Sequence, residues 1–248
     1  MDRIQNYYME YKKFINATKL PDINPIIKDN KNDIFPSHAY VDRDLLDITP
    51  IPLYVSSKLF TYKEQFYKSI LYHEFTHIYD YYITFSSLNK DTKNKMMSLY
   101  SEYHASQIEM LANIGYIRAY NIFNKFSMYL KLVSEDEIVN VDKYLLFPLS
   151  SSLAIIDNDT MAFYELDNQE YMKNYVKARN NAIYYLGKFS VCEKFAKTKP
   201  FDAFYNFADF ESDIRMLYLY FKQKDYDNIL KAENDLMMHY FSYFKFKY

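Results

Sequence analysis

The 248-residue sequence contains one cysteine, two glycines and no tryptophan. A lone cysteine, Cys192, cannot build an internal disulfide framework and suits a reducing compartment. Two glycines, Gly115 and Gly187, cannot supply a P-loop or a dinucleotide fingerprint, which need several at fixed spacing. The same scarcity disfavours an all-β fold built on tight turns. No apolar run reaches the roughly 18 residues of a transmembrane helix. Residues Met1 to Asn6 lack the apolar stretch of a secretory signal. A cytoplasmic chain without a membrane partner is the expectation. An excess of one charge is also lacking: 30 basic against 32 acidic residues, spread along the chain, leave a formal charge of −2 and no electrostatic footprint for nucleic acid. Half of the residues are hydrophobic, enough to build a core and exclude a disordered chain.

Proline divides what is present. Pro21, Pro25, Pro36, Pro50 and Pro52 precede residue 53, and only Pro148 and Pro200 follow. The first fifth is therefore expected to be irregular, with extended pieces. Residues 3–17 read as an N-terminal helix; His38 to Val41 and Pro52 to Ser56 read as short strands. Beyond Thr61 the pattern is helical. A helix is predicted over 62–83, with Phe66, Ile70 and His77 near one stripe. A second, capped by Asp91 or Thr92, should run to Asn113 with Gly115 at its end. Helices are also predicted over 116–132, after the capping-box spacing Ser134-Glu135-Asp136-Glu137, and across 168–198, 203–223 and 225–243. The fold class is α+β, mainly helical. A soft boundary near 134 separates residues 1–133, which hold the identifiable chemistry, from a helical annex at 134–248.

That chemistry centres on His73-Glu74-Phe75-Thr76-His77, an H-E-x-x-H segment in helical context. This composition produces such a match by chance about once in two hundred sequences of this length. Four residues advance an α-helix by roughly 400°, so both imidazoles return to one face a turn apart and can share an ion. Imidazoles with a carboxylate are the usual ligands of a catalytic zinc, Zn2+, which keeps one position open for water. Glu74, about 100° further round, can reach that water as a general base. The bland alternative is an exposed helix decorated with polar residues. Three of the five histidines fall within residues 73–104, which weakens that alternative.

The third ligand must come from elsewhere. No glycine or histidine follows closely after His77, so the scheme with a third histidine fails. Asp80 lies roughly 10.5 Å along the axis from His73, too far to share its ion on a straight helix, but it is a candidate acceptor for orienting His77. The next helix offers Glu102, with small Ala105 on the same face to allow close approach, and Glu109 two turns on as a second candidate. Either glutamate could instead be an ordinary surface residue.

H-E-x-x-H followed by a glutamate on the next helix resembles the gluzincin metallopeptidases. The likeness is nearer to compact zincins of the ImmA/IrrE type and to the catalytic domains of anthrax-lethal-factor-like and Pro-Pro endopeptidases. Those carry H-E-x-x-H-x-x-D and then E-x-x-A, matched here by His73 to Asp80 and Glu102 to Ala105. The resemblance covers about residues 35–115. It implies metal ligands at His73, His77 and Glu102, a catalytic base at Glu74, and a minimal zincin core in which a small sheet covers the active-site helix. The strand at Leu53–Ser56 would then be an edge for holding a peptide by β-augmentation. Thr76 stands where those families usually have glycine. Ser106 stands where some gluzincins have an acidic residue, and can still accept a hydrogen bond beside the ligands.

The expected function is zinc-dependent hydrolysis of a peptide bond in a protein or peptide substrate, with a regulatory protein as a candidate partner. Tyr100, Tyr103, His104 and His239 are all conceivable oxyanion stabilisers. The alternative is a non-catalytic zincin-like or helical protein-binding module. Intact Glu74 argues against it, because a structural zinc site needs no base and closes its fourth position with a side chain.

Overall fold

The structure, a computed structural model, describes residues 2–28, 38–113, 168–195 and 204–246. The chain divides into two compact units, Met1–Val133 and Ser134–Tyr248. The architecture is α+β and mainly helical, with one three-stranded sheet among the described residues.

In the first unit, helix α1 (Asp2–Phe14) leads into strand β1 (Ile23–Lys28). Strand β2 (Ala39–Val41) and strand β3 (Ile51–Ser56) complete the sheet in the order β1-β3-β2. β3 runs parallel to β1 and antiparallel to β2. Its alternation explains the register. Ile51, Leu53 and Val55 are fully buried on one face, while Tyr54 stacks on Tyr40, its cross-strand partner, with ring centroids 4.8 Å apart on the other. The expected peptide-holding edge at Leu53–Ser56 is therefore corrected. β3 is the central strand, and its backbone is paired on both sides. β1 is not evident from the sequence pattern, because Pro25 sits inside it. An edge position tolerates the missing N–H. Pro52 is accommodated similarly, since β2 reaches only Leu53, Tyr54 and Val55 and leaves Pro52 with one neighbour strand.

Helix α2 (Glu64–Tyr79) carries the motif. Every side chain from Leu71 to Ile78 is buried, so this stretch is enclosed all round rather than along one stripe. Phe66, placed on the inward stripe by its spacing, is 39% exposed. The true apolar contacts are Tyr8 and Tyr11 of α1 against Phe75, with centroids 4.8 and 5.6 Å away. The Tyr11 hydroxyl donates to Thr76 Oγ1, which donates to the Tyr72 carbonyl. α2 ends in a widened π turn, Asp80–Thr84, a deformation frequent near functional sites.

Two helices, not one, follow. Helix α3 (Lys90–Met97) is capped by Asn89, whose side chain accepts the Thr92 N–H at 2.9 Å. The chain breaks at Ser98 and Leu99, and helix α4 (Tyr100–Asn113) begins. The Asn89 cap displaces the expected Asp91 or Thr92. The expected helix at 116–132, the capping box at 134–137 and Gly115 lie outside the described residues.

The second unit comprises helix α5 (Asn168–Phe195), on which Cys192 lies, helix α6 (Glu211–Gln223) and helix α7 (Tyr226–Phe246). Tyr185, Phe189, Phe204, Phe207 and Tyr218 form its aromatic core through edge, tilted and stacked contacts. Lys224, with φ of 56°, closes α6 in the left-handed region and turns the chain into α7. Among the described residues, no helix is long and apolar enough to cross a membrane.

Candidate metal centre

α2 and α4 pack along a polar seam. His73 and His77 lie one turn apart on α2, with ring centroids 4.9 Å from each other. His73, Glu74 and His77 each offer a ligand atom, all within 4.8 Å of one another, and all three are buried. Across the seam, Glu102 directs Oε2 to within 3.5 Å of His73 Nε2 and 3.7 Å of His77 Nε2. That oxygen is buried and makes no hydrogen bond among the described residues. Ala105, three residues on from Glu102 along α4, is fully buried.

Both rings are held from behind. His73 Nδ1 meets Glu109 Oε2 at 3.1 Å, and His77 Nδ1 meets Ser101 Oγ at 2.8 Å. Glu109, a candidate third ligand from its spacing, instead contacts His73 at Nδ1, the ring nitrogen away from Glu102. Such contacts fix ring orientation at metal sites. The expected pairing of Asp80 with His77 does not form. Asp80 is fully buried and accepts from Thr84 Oγ1 at 2.7 Å, and its Oδ1 pairs with His104 Nδ1 at 2.9 Å. The π turn and the position of His104 on α4 account for this partnership. Ser106 is also fully buried, and its hydroxyl makes no hydrogen bond among the described residues, to either imidazole or to Glu102. Of the conceivable oxyanion groups, His104 is engaged by Asp80, His239 pairs with Asp213 in the second unit, and Tyr100 packs on Phe85 and Tyr103.

No family model, curated protein or solved structure matches this chain.

Glu74 lies beside the triad with a different tether. Its Oε2 accepts the backbone N–H of Val41, the last residue of β2, at 2.9 Å. Sequence spacing offers no sign of this contact, which spans 33 positions. Nor does it single out Arg43, which follows β2 in a short 3-10 turn and ion-pairs with Glu102 Oε1.

Burial and these partners set the charges. Burial by itself would lower the His73 pKa. The nearby Glu102 and Glu109 carboxylates favour the charged ring, outweigh burial and push the group up to about 10. Burial dominates at His77 and pushes it down to about 3. Burial raises Glu74 to about 7 despite nearby His73 and the Val41 N–H. Burial would also raise Glu102, but the imidazoles and Arg43 hold it well below the usual carboxylate range. The site thus pairs an ionised carboxylate with two imidazoles and sets a second carboxyl, poised near neutrality, alongside.

Proposed function

We propose that this chain is a zinc-dependent metallopeptidase of the gluzincin kind, with His73, His77 and Glu102 as metal ligands and Glu74 as general base. The observation that carries the reading is the buried, unbonded Oε2 of Glu102 beside both Nε2 atoms. Donors around a tetrahedral zinc with bonds of about 2.0–2.1 Å lie about 3.3 Å apart. The two spacings to Oε2, 3.5 and 3.7 Å, are close to that. An orphaned buried carboxylate oxygen is costly, and a cation among these donors would satisfy it. Two imidazoles and one carboxylate form the set associated with a catalytic zinc that retains an open position.

A bound zinc would lower the pKa of a water and polarise a carbonyl oxygen. The protein residues divide the remaining work. Val41 fixes one Glu74 oxygen, leaving Oε1, which carries no hydrogen bond among the described residues, to take a proton from water and return it to the leaving amine. Glu109 and Ser101 hold the imidazoles on their far sides. The resemblance to compact ImmA/IrrE-type and lethal-factor-like zincins suggests a protein or peptide substrate. It also suggests a regulatory partner, and a reducing, cytoplasmic setting suits the single cysteine.

The test combines metal analysis with Glu74→Gln. Purified protein should hold one zinc per chain and cleave a peptide library, and Glu74→Gln should retain the zinc and lose cleavage by about 10²–10⁴-fold. A chain that binds zinc but cleaves nothing is a binding module, and equal cleavage with or without the Glu74 carboxylate excludes a peptidase of this design.

A further inference from the structure

Arg43 belongs to no motif, yet it makes the one Arg or Lys ion pair to the donor set among the described residues. Its place is well determined. β2 ends at Val41, whose N–H is bound to Glu74. Asp42 then caps the turn by accepting the Asp44 N–H at 3.0 Å, and Arg43 opens that turn. From there Nη2 donates to Oε1 of Glu102. The arginine side chain is 41% exposed and that of Glu102 only 8%, so the guanidinium reaches inward from a half-exposed base.

The two oxygens of Glu102 consequently have different surroundings. Oε1 is taken by Arg43, whereas Oε2 is unbonded and faces both imidazoles. A carboxylate can meet a cation through one oxygen or both, and meeting it through both fills a position that water would otherwise hold. We propose that Arg43 is a positioning residue for the metal centre: by holding Oε1, it makes Glu102 present Oε2 alone to a divalent ion. This inference rests on the metallopeptidase reading and adds a role for a residue outside the ligand set. Arginine suits it, because its planar fork is directional where a lysine ammonium is a point charge.

The test measures zinc affinity by competition with a chromophoric chelator, and optical spectra of the cobalt(II)-loaded protein, for wild type, Arg43→Gln and Arg43→Lys. Cobalt band intensity falls as coordination number rises, so it reports how Glu102 binds. Arg43→Gln should lose about 10–100-fold in zinc affinity and give weaker cobalt bands, with Arg43→Lys recovering part of both. Arg43→Gln with zinc affinity within about twofold of wild type and an unchanged cobalt spectrum overturns the role of Arg43 while leaving the metal centre standing. If wild type takes up neither ion, both readings fall together. Should Arg43→Gln not fold, Arg43→Lys decides: altered cobalt bands support the role, and unaltered bands with full affinity overturn it.

Discussion

The Glu74 carboxylate is tied at 2.9 Å to the backbone N–H of Val41, joining the motif helix to the edge strand of the sheet. This contact gives the sheet a part in the site: it restrains one oxygen of the candidate base. Hydrogen exchange can read the tether directly. The Val41 amide should be protected in wild type and in Glu74→Gln, whose side-chain carbonyl can still accept. In Glu74→Ala it should exchange at least about tenfold faster, since local protection follows the bond that is lost. Equal protection in Glu74→Ala would show that the strand needs no such partner.

Metal affinity should depend on the residues behind the imidazoles rather than on Asp80. Glu109→Ala and Ser101→Ala should each lower zinc affinity by about 10–100-fold, since each frees a ring nitrogen. Asp80→Asn, which disturbs the His104 contact, should leave zinc affinity near wild type. Isothermal titration of the three variants checks the contrast. An Asp80→Asn loss as large as that of Ser101→Ala would contradict it.

Zinc should stabilise the first unit, because the proposed ligands lie on α2 and α4 across one seam. Free zinc at one hundred times its dissociation constant adds about 2.7 kcal/mol to stability. Thermal unfolding followed by circular dichroism should show a higher midpoint with zinc and a lower one after chelation. An unchanged midpoint across that range would speak against a site in this seam.

Phe75 and Phe66 separate burial from periodicity. Phe75, fully buried against Tyr8 and Tyr11, should cost about 3–5 kcal/mol when replaced by alanine. Phe66→Ala, at a position 39% exposed, should cost less than about 1 kcal/mol. Urea unfolding of both variants provides the comparison, and equal losses would place Phe66 in the core after all.

Alkaline pH should unfold both units. Burial raises the pKa of Tyr8, Tyr11 and Tyr175 above the ordinary 10.0. A phenol whose pKa is higher folded than unfolded contributes its full stability below pH 10. That contribution is lost as pH rises past 10, because the unfolded chain ionises first. Absorbance of phenolate should therefore rise in two stages, exposed tyrosines before unfolding and buried ones with it. A single smooth titration with the fold intact would refute this.

Local chemistry was legible along the chain. The four-residue repeat of His73 and His77, with Glu74 between them, follows from helix geometry alone. The helices of the second unit follow from their apolar periodicity, and the strands 39–41 and 51–56 from short β-prone runs between prolines. β1 was not legible, because Pro25 is acceptable only at a sheet edge and the strand order is a long-range property. The identity of Phe75 rather than Phe66 as the buried ring was hidden for a related reason: a helix enclosed by α1, the sheet and α4 has no single inward stripe to read.

Sequence by itself determined that two imidazoles and a carboxyl would share one helical region and that a glutamate would lie on a nearby helix, because those relations depend on residue spacing and a fixed helical rise. Only the tertiary structure decided which oxygen each partner takes. The antiparallel packing of α2 on α4 assigns Glu102 Oε2 to the imidazoles, Glu109 and Ser101 to their far nitrogens, and Asp80 to His104. The turn after β2 assigns Arg43 to Oε1. Contacts between segments tens of residues apart depend on how helices and strands pack, and no local pattern encodes that packing.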